Sequence, residues 1–253
     1  MKIDAILTPA ELPALAKRDL SQTLCVVFDV LRATSTFVTA LHNGAKAIIP
    51  VSEISEALAI RATQPDVLLG GERDGVKIRA ALAGGTDFDL GNSPREYTPE
   101  RVRGRTIVST TTNGTRALRA CTNAQTVLAG SFLNLGATAG FIRELQPAEV
   151  LLVCAGTREE KADEDMLVAG ALCESLARGD ARPTLSDLAE IALHFYAQAK
   201  SDLAASVRNS TNGRRLLAIP ELRDDVAFCL QRDIFQIIAR MEADGAIRRQ
   251  PGC

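Results

Sequence analysis

An acid, a guanidinium and three hydroxyls fall within the stretch Asp29-Val-Leu-Arg-Ala-Thr-Ser-Thr36, directly after the apolar run Leu24-Cys25-Val26-Val27-Phe28. An apolar run of this length bounded by polar residues reads as a buried strand of parallel type, which delivers all of these groups to one loop. Such a loop is equipped for phosphate. At the carboxyl end of a strand, Asp29 could hold Mg2+ or act as acid, base or nucleophile, and Arg32 offers a planar fork of donors suited to phosphoryl or carboxylate oxygens. Thr34, Ser35 and Thr36 fall where the next helix begins, where free backbone N–H groups and the positive end of the macrodipole favour an anion. The competing reading is an N-cap cluster with Arg32 and Asp29 paired across a turn.

Three further segments carry related chemistry. Thr110-Thr-Thr-Asn-Gly-Thr115, followed by Arg116, places hydroxyls, an amide and a glycine between a strand and a helix, so Asn113, Gly114, Thr115 and Arg116 join the candidate anion-binding groups, although Asn-Gly is also a common tight turn. Between Gly70 and Arg105 the chain is rich in glycine and poor in strand signal, and Gly70-Gly-Glu-Arg73 allows close backbone approach to a ligand. A long loop of this kind with mixed charges is read as functional, with Glu72 and Arg73 near the ligand; a solvated surface excursion is the alternative. The acidic run ending in Glu164-Asp165 precedes the apolar helix expected from Met166 to Leu176. Acids there either cap a solvated helix start or point back into the cleft at the strand ends. Asp29, Glu72, Glu164 and Asp165 are therefore the candidate Mg2+ ligands, since Mg2+ takes oxygen donors and usually keeps several waters.

These loops need strands and helices to hold them. The chain reads as α/β, a layered sheet with flanking helices. A first βαβαβ unit has strands at Leu24–Phe28, Ala47–Val51 and Val67–Leu69, and a second has strands at Thr106–Val108, Thr126–Ala129 and Val150–Val153. Ala40-Leu41 aligns on Ala117-Leu118 and Ser52 on Ser131, which points to an internal duplication. The corresponding division is residues 1–105, the first unit with its long Gly-rich connection, and 106–253, the second unit with C-terminal helices and strands. If all these strands run parallel in one sheet, their loops open on one edge, where ligands bind in open α/β sheets. Beyond the second unit the pattern predicts helices near Ser186–Lys200 and Ser210–Leu217, strands around Val226–Leu230 and Ile234–Ile238, and a hairpin turn at Asp244-Gly245.

Composition excludes several function classes. With 253 residues, 46% of them hydrophobic, the chain can bury a large core without staples. A net charge of −2 offers nucleic acid no bulk field, and two Tyr, eight Phe and no Trp leave few stacking platforms. The N-terminal stretch lacks the apolar segment of a signal peptide and no run is long enough to cross a bilayer, so a cytoplasmic protein with no membrane partner is expected. The cysteines form no Cys-x-x-Cys pair; all but Cys253 lie in apolar contexts and are expected as buried thiols, with Cys253 exposed at the tail. Only His42 and His194 are present, which argues against histidine-based phosphatases and Ser-His-Asp hydrolases, and both are expected to be structural.

Taken together, Asp29-Val-Leu-Arg-Ala-Thr-Ser-Thr36, Gly70-Gly-Glu-Arg73, Gly91-Asn-Ser-Pro94, Thr111-Thr-Asn-Gly-Thr115, Gly130-Ser-Phe-Leu-Asn134, Cys154-Ala-Gly156 and Glu164-Asp165 resemble the 2-phosphosulfolactate phosphatase family. The resemblance spans roughly residues 1–240, and the C-terminal portion matches least well. It implies a Mg2+-dependent acid phosphatase that converts (R)-2-phospho-3-sulfolactate to 3-sulfolactate and phosphate on a route to coenzyme M, with an unusual α/β fold and a homodimeric state. A small substrate bearing phosphate, sulfonate and carboxylate suits a site built from Arg32, Arg73 and Arg116, with Arg79, Arg95 or Arg158 in reserve. Leu31 stands where haloacid-dehalogenase phosphatases carry a second acid, so a phosphoaspartate route is open without support. The alternatives are a phosphatase of the same fold acting on another small phosphorylated acid, and a noncatalytic protein that binds an anionic metabolite.

Overall fold

The computed structural model describes residues 1–15, 17–178 and 182–251. Among the described residues the strands are β1 (Lys2–Ile6), β2 (Thr23–Phe28), β3 (Ala47–Pro50), β4 (Leu68–Arg73), β5 (Val76–Lys77), β6 (Thr106–Thr110), β7 (Thr126–Gly130), β8 (Glu149–Cys154), β9 (Thr184–Leu185), β10 (Ile237–Met241) and β11 (Ile247–Pro251). They form one mixed sheet in the order β5-β4-β6-β3-β11-β10-β7-β2-β8-β1-β9. The six apolar runs of the two expected units are all strands. Their pairing is interleaved rather than unit by unit. β2 runs parallel between β7 and β8, with Val27 opposite Ala129 and Val153, while β6 runs parallel between β3 and β4, with Ile107 opposite Ile48 and Leu68. Each of the two expected units thus lends its first strand to the other.

The two parallel groups are joined by the hairpin β10–β11, which is antiparallel to β7 on one side and to β3 on the other. These reversals leave the two groups running in opposite directions, so in a flat sheet the loops after β2 and β6 would lie on opposite edges. They meet because the sheet curls, as large twisted sheets do. Alternation along the strands shows where the curl puts the core. Cys25 and Val27 of β2, Ile48 of β3 and Ile107 of β6 share one apolar cluster with Phe37 and Leu41 of the helix Ala33–His42 and Leu118 of the helix Gly114–Ala120. Those two helices are wrapped between the halves. Leu24, Val26 and Phe28 point the other way, against the helices Leu135–Leu145, Asp163–Leu176 and Asp187–Ala199. Val108 and Leu69 cover the outer face of the second group with Ala57 of the helix Ile54–Thr63.

Three segments differ from the sequence expectation, the strand expected around Ile234–Ile238 running instead from Ile237 to Met241. Val226–Leu230 lies in a helix, Arg223–Cys229, because a short apolar run is ambiguous by periodicity and Asp224 and Asp225 suit a helix first turn. The Gly-rich connection begins with order: β4 continues through Glu72-Arg73 and turns at Asp74-Gly75, both at positive φ, into β5. The expected hairpin at Asp244-Gly245 is present between β10 and β11. Cys25, Cys121, Cys154, Cys173 and Cys229 are free and buried, and Cys253 lies outside the described residues. No helix among the described residues is long and apolar enough to cross a membrane. His42 stacks on Phe235 with ring centroids 4.0 Å apart, away from any chemistry.

Candidate active site

The loops after β2 and β6 close on themselves in the same way. Thr34 Oγ1 accepts from the Asp29 N–H and donates to the Asp29 carbonyl; Thr115 Oγ1 accepts from the Thr111 N–H and donates to the Thr111 carbonyl. Each hydroxyl locks its strand-to-helix turn. The two turns touch: a Cβ on Gly114 would lie 2.7 Å from Asp29 Oδ2 and 2.5 Å from Ala33 Cβ, so glycine is what lets the second loop reach the first.

Two buried carboxylates then tie four loops together. Asp165 accepts from the Val30 N–H at 2.8 Å and the Gly156 N–H at 3.0 Å, joining the loop after β2 to the loop after β8. Glu72 accepts from the Thr112 N–H and hydroxyl through Oε1 and from the Gly75 N–H through Oε2, joining the β4–β5 turn to the loop after β6. Between them opens a cleft bordered by Asp29, Arg32, Glu72, Asn92, Thr112, Asn113, Gly156, Arg158, Asn212 and Arg215 among others. Oδ1 of Asp29 accepts from the Ala33 N–H at 3.1 Å. Burial pushes the Asp29 carboxyl up to about 7, with Glu72 and Glu164 adding to the rise against the Ala33 N–H and Arg32. Burial likewise raises Asp165 well above the usual carboxylate range, reinforced by Asp29 and Glu164, and raises Glu164 against the opposing hydrogen bond from Asn212.

Arg32 is buried at the cleft wall. Its Nη1 meets Asp225 Oδ2 at 2.6 Å and its Nη2 donates to the Gly75 carbonyl, while Ser93 Oγ donates to the other oxygen of Asp225 at 2.7 Å. Arg32 therefore pairs with Asp225 from the C-terminal region rather than with Asp29 across the turn. Four buried polar atoms around the cleft and the adjoining hollow have no hydrogen-bond partner: Asn92 Oδ1, Asn212 Oδ1, Glu164 Oε2 and Arg215 Nε. Buried groups are nearly always paired, so these atoms are candidates for contact with a ligand or with water.

The fate of each expected site residue follows from these bonds. Asp29, Arg32, Glu72 and Asn113 border one cleft, and Gly114 packs against Asp29. Glu164 and Asp165 are buried: Glu164 lines an adjoining hollow that shares Thr157 and Asn212 with the cleft, and Asp165 borders neither. Thr34, Ser35, Thr36 and Thr115 are buried and donate their hydroxyls to backbone carbonyls, of Asp29, Val30, Asn92 and Thr111 respectively. Their role is to shape the loops. Arg73 spends its donors on Glu72 O, Thr110 Oγ1 and Ser52 O, and Arg116 forms a half-exposed pair with Glu159; neither borders the cleft. Asn212, Arg215 and Asp225 escaped the sequence reading. A signal for the first was available: Thr211-Asn212-Gly213 repeats the Thr112-Asn113-Gly114 string, and Asn212 also lines the cleft.

For a divalent cation the donor set divides. Glu72 and Asp165 already accept from backbone N–H groups on both oxygens, whereas Glu164 Oε2 and Asn212 Oδ1 have no hydrogen-bond partner, Asn212 Nδ2 donating to Glu164 Oε1 at 2.7 Å. Hard oxygen donors with unmet demand fit Mg2+. No cluster of three or more aspartate, glutamate, histidine or cysteine side chains that could hold a metal occurs among the described residues.

The 2-phosphosulpholactate phosphatase family profile matches residues 7–244. A protein of Caldanaerobacter subterraneus subsp. tengcongensis named probable 2-phosphosulfolactate phosphatase is 39% identical over 91% of this chain and 92% of its own length. Proteins with the same name from Thermotoga petrophila and Clostridium acetobutylicum are 41% identical over 84% of this chain and 86% of theirs, and 35% identical over 94% and 96%.

Proposed function

This chain belongs to the 2-phosphosulfolactate phosphatase family, a phosphoric monoester hydrolase, and from that membership we propose that it hydrolyses 2-phospho-3-sulfolactate to 3-sulfolactate and phosphate with Mg2+ as cofactor. The observation that carries the reading is a single cleft holding a carboxyl with a pKa raised to about 7, Asp29, among the guanidiniums of Arg32, Arg158 and Arg215. A multiply anionic ester suits that charge, and neutral esters would leave it uncompensated.

In the reaction a water oxygen bonds to phosphorus as the bond from phosphorus to the 2-oxygen breaks, and the departing alkoxide needs a proton. Asp29 would move it. Its Oδ1 is held by the Ala33 N–H, and a pKa near the working pH suits proton transfer in either direction. Arg32 has N–H groups beyond those engaged by Asp225 and Gly75, and these would hold the phosphoryl oxygens as charge builds. Glu164 Oε2 and Asn212 Oδ1 would hold Mg2+, which when bound neutralises charge on the phosphoryl group. Cytoplasmic residence, a homodimeric state, a place in coenzyme M supply and the absence of nucleic-acid partners complete the proposal; the family resemblance and the net charge of −2 support them.

The test is a metal-free dialysed sample assayed with and without Mg2+ against 2-phospho-3-sulfolactate, other small phosphorylated acids and a simple phosphoester. Mg2+-dependent turnover with the highest kcat/KM on 2-phospho-3-sulfolactate is expected. A higher kcat/KM on another acid would replace the substrate, and full turnover without divalent ions would remove the metal.

A further inference from the structure

The short helix Thr211–Leu217 brings Asn212 and Arg215, one turn apart, to the same cleft. Arg215 is the less explained of the two. Its Nε is buried with no partner, and Arg215 forms no ion pair among the described residues. Its guanidinium lies against the β4–β5 turn: a Cβ on Gly75 would meet Arg215 Nε at 3.6 Å and Cζ at 3.7 Å. The carbonyl of the same Gly75 accepts from Arg32 Nη2. Two cations therefore converge on one glycine. Arg32 has its counter-ion in Asp225, and Arg215 has none.

A buried guanidinium donor without an acceptor costs stability, and the shape of the fork makes an oxyanion the economical remedy. Arg32 comes from the helix start beside Asp29 and Arg215 from the helix Thr211–Leu217, so the two guanidiniums reach the cleft from different elements and can take different oxyanions. We propose that Arg215 recognises the second anionic group of the substrate, the carboxylate or sulfonate remote from the transferred phosphoryl, with exposed Arg158 at the cleft rim adding charge. This rests on the phosphatase reading of the same cleft and adds the residue that sets its preference for multiply charged esters.

The test compares wild type with Arg215→Gln and Arg215→Lys on 2-phospho-3-sulfolactate and on p-nitrophenyl phosphate, with melting temperatures as the folding control. Hydrogen bonds to charged partners are worth roughly 1.5–3 kcal/mol, so Arg215→Gln should lower kcat/KM on the sulfonated ester about ten- to a hundredfold more than on the simple one. Arg215→Lys should recover part of that difference, since charge returns without the planar fork. Calorimetric binding of 3-sulfolactate, which has no phosphoryl group, reads the inference without turnover and should weaken at least about tenfold in Arg215→Gln. Equal losses on both esters, or unchanged 3-sulfolactate affinity, would overturn the assignment. A wild type that binds 3-sulfolactate through Arg215 yet fails to hydrolyse its phosphate ester would sustain the inference and overturn the proposed reaction instead.

Discussion

Asp29→Asn should abolish turnover and at the same time stabilise the fold, by an amount that grows with pH. The carboxyl is raised from an ordinary 3.8 to about 7 in the folded protein. Below about pH 4 both states hold the proton, and above 7 neither does. Between those limits the native state binds the extra proton, so stability falls as pH rises, and the loss is complete above the folded pKa. Each pH unit is worth about 1.4 kcal/mol, which puts the full cost near 4 kcal/mol, with roughly 2–3 kcal/mol of it incurred between pH 5 and pH 8. Asparagine has no proton to lose, and its Oδ1 can still accept from the Ala33 N–H. For a chain of this size about 1 kcal/mol moves the melting temperature by about 2–4 °C. With divalent ions chelated, the melting temperature of Asp29→Asn relative to wild type should therefore rise by about 5–10 °C between pH 5 and pH 8. Removing the charge also eases Glu164 and Asp165, which acts in the same direction. Thermal unfolding of both proteins across that range is the assay. A constant offset, or a variant less stable at pH 8, would refute the account of Asp29 as a buried acid whose ionisation strains the site.

Other substitutions probe the scaffold around that acid. Asp225→Ala leaves Arg32 buried without a counter-ion and should cost about 3–5 kcal/mol in denaturant unfolding; a loss under about 1 kcal/mol would mean the pair is not what holds Arg32. Gly114→Ala drives a methyl into Asp29 and Ala33, both short and backbone-bound, so activity should fall at least about a hundredfold at a stability cost of about 1–3 kcal/mol, and near-normal kinetics would separate the two loops. Arg73→Lys should lower stability by about 1–2 kcal/mol through its lost bonds to Ser52 and Thr110, and shift kcat/KM equally on sulfonated and simple esters; a selective loss on the sulfonated ester would return Arg73 to the binding site.

Much of this arrangement is legible along the chain. The six apolar runs with polar bounds are strands because burying both faces demands continuous apolar residues, and that demand is local. Asp29 at the end of one run and Asn113-Gly114 at the end of another follow from the same local rule, as does the Asp244-Gly245 hairpin. The acidic start of the helix Asp163–Leu176 was readable as a set of acids, though not as two different ones: Asp165 clamps loops and Glu164 keeps an oxygen free.

Only the tertiary structure decided which strands pair and what each polar side chain meets. The interleaving of β2 between β7 and β8, and of β6 between β3 and β4, depends on burial summed over the whole sheet, and no short stretch of sequence encodes it. The hydroxyls of Thr34, Ser35 and Thr36 suit an anion by type, but in buried turns their nearest unmet acceptors are carbonyls of the backbone, and those bonds win. Arg32 finds its carboxylate at Asp225, 193 residues along the chain, because a charge taken out of water must be matched by whichever opposite charge the fold brings beside it. Asn212 and Arg215 join the cleft on the same terms, carried there by the helix Thr211–Leu217.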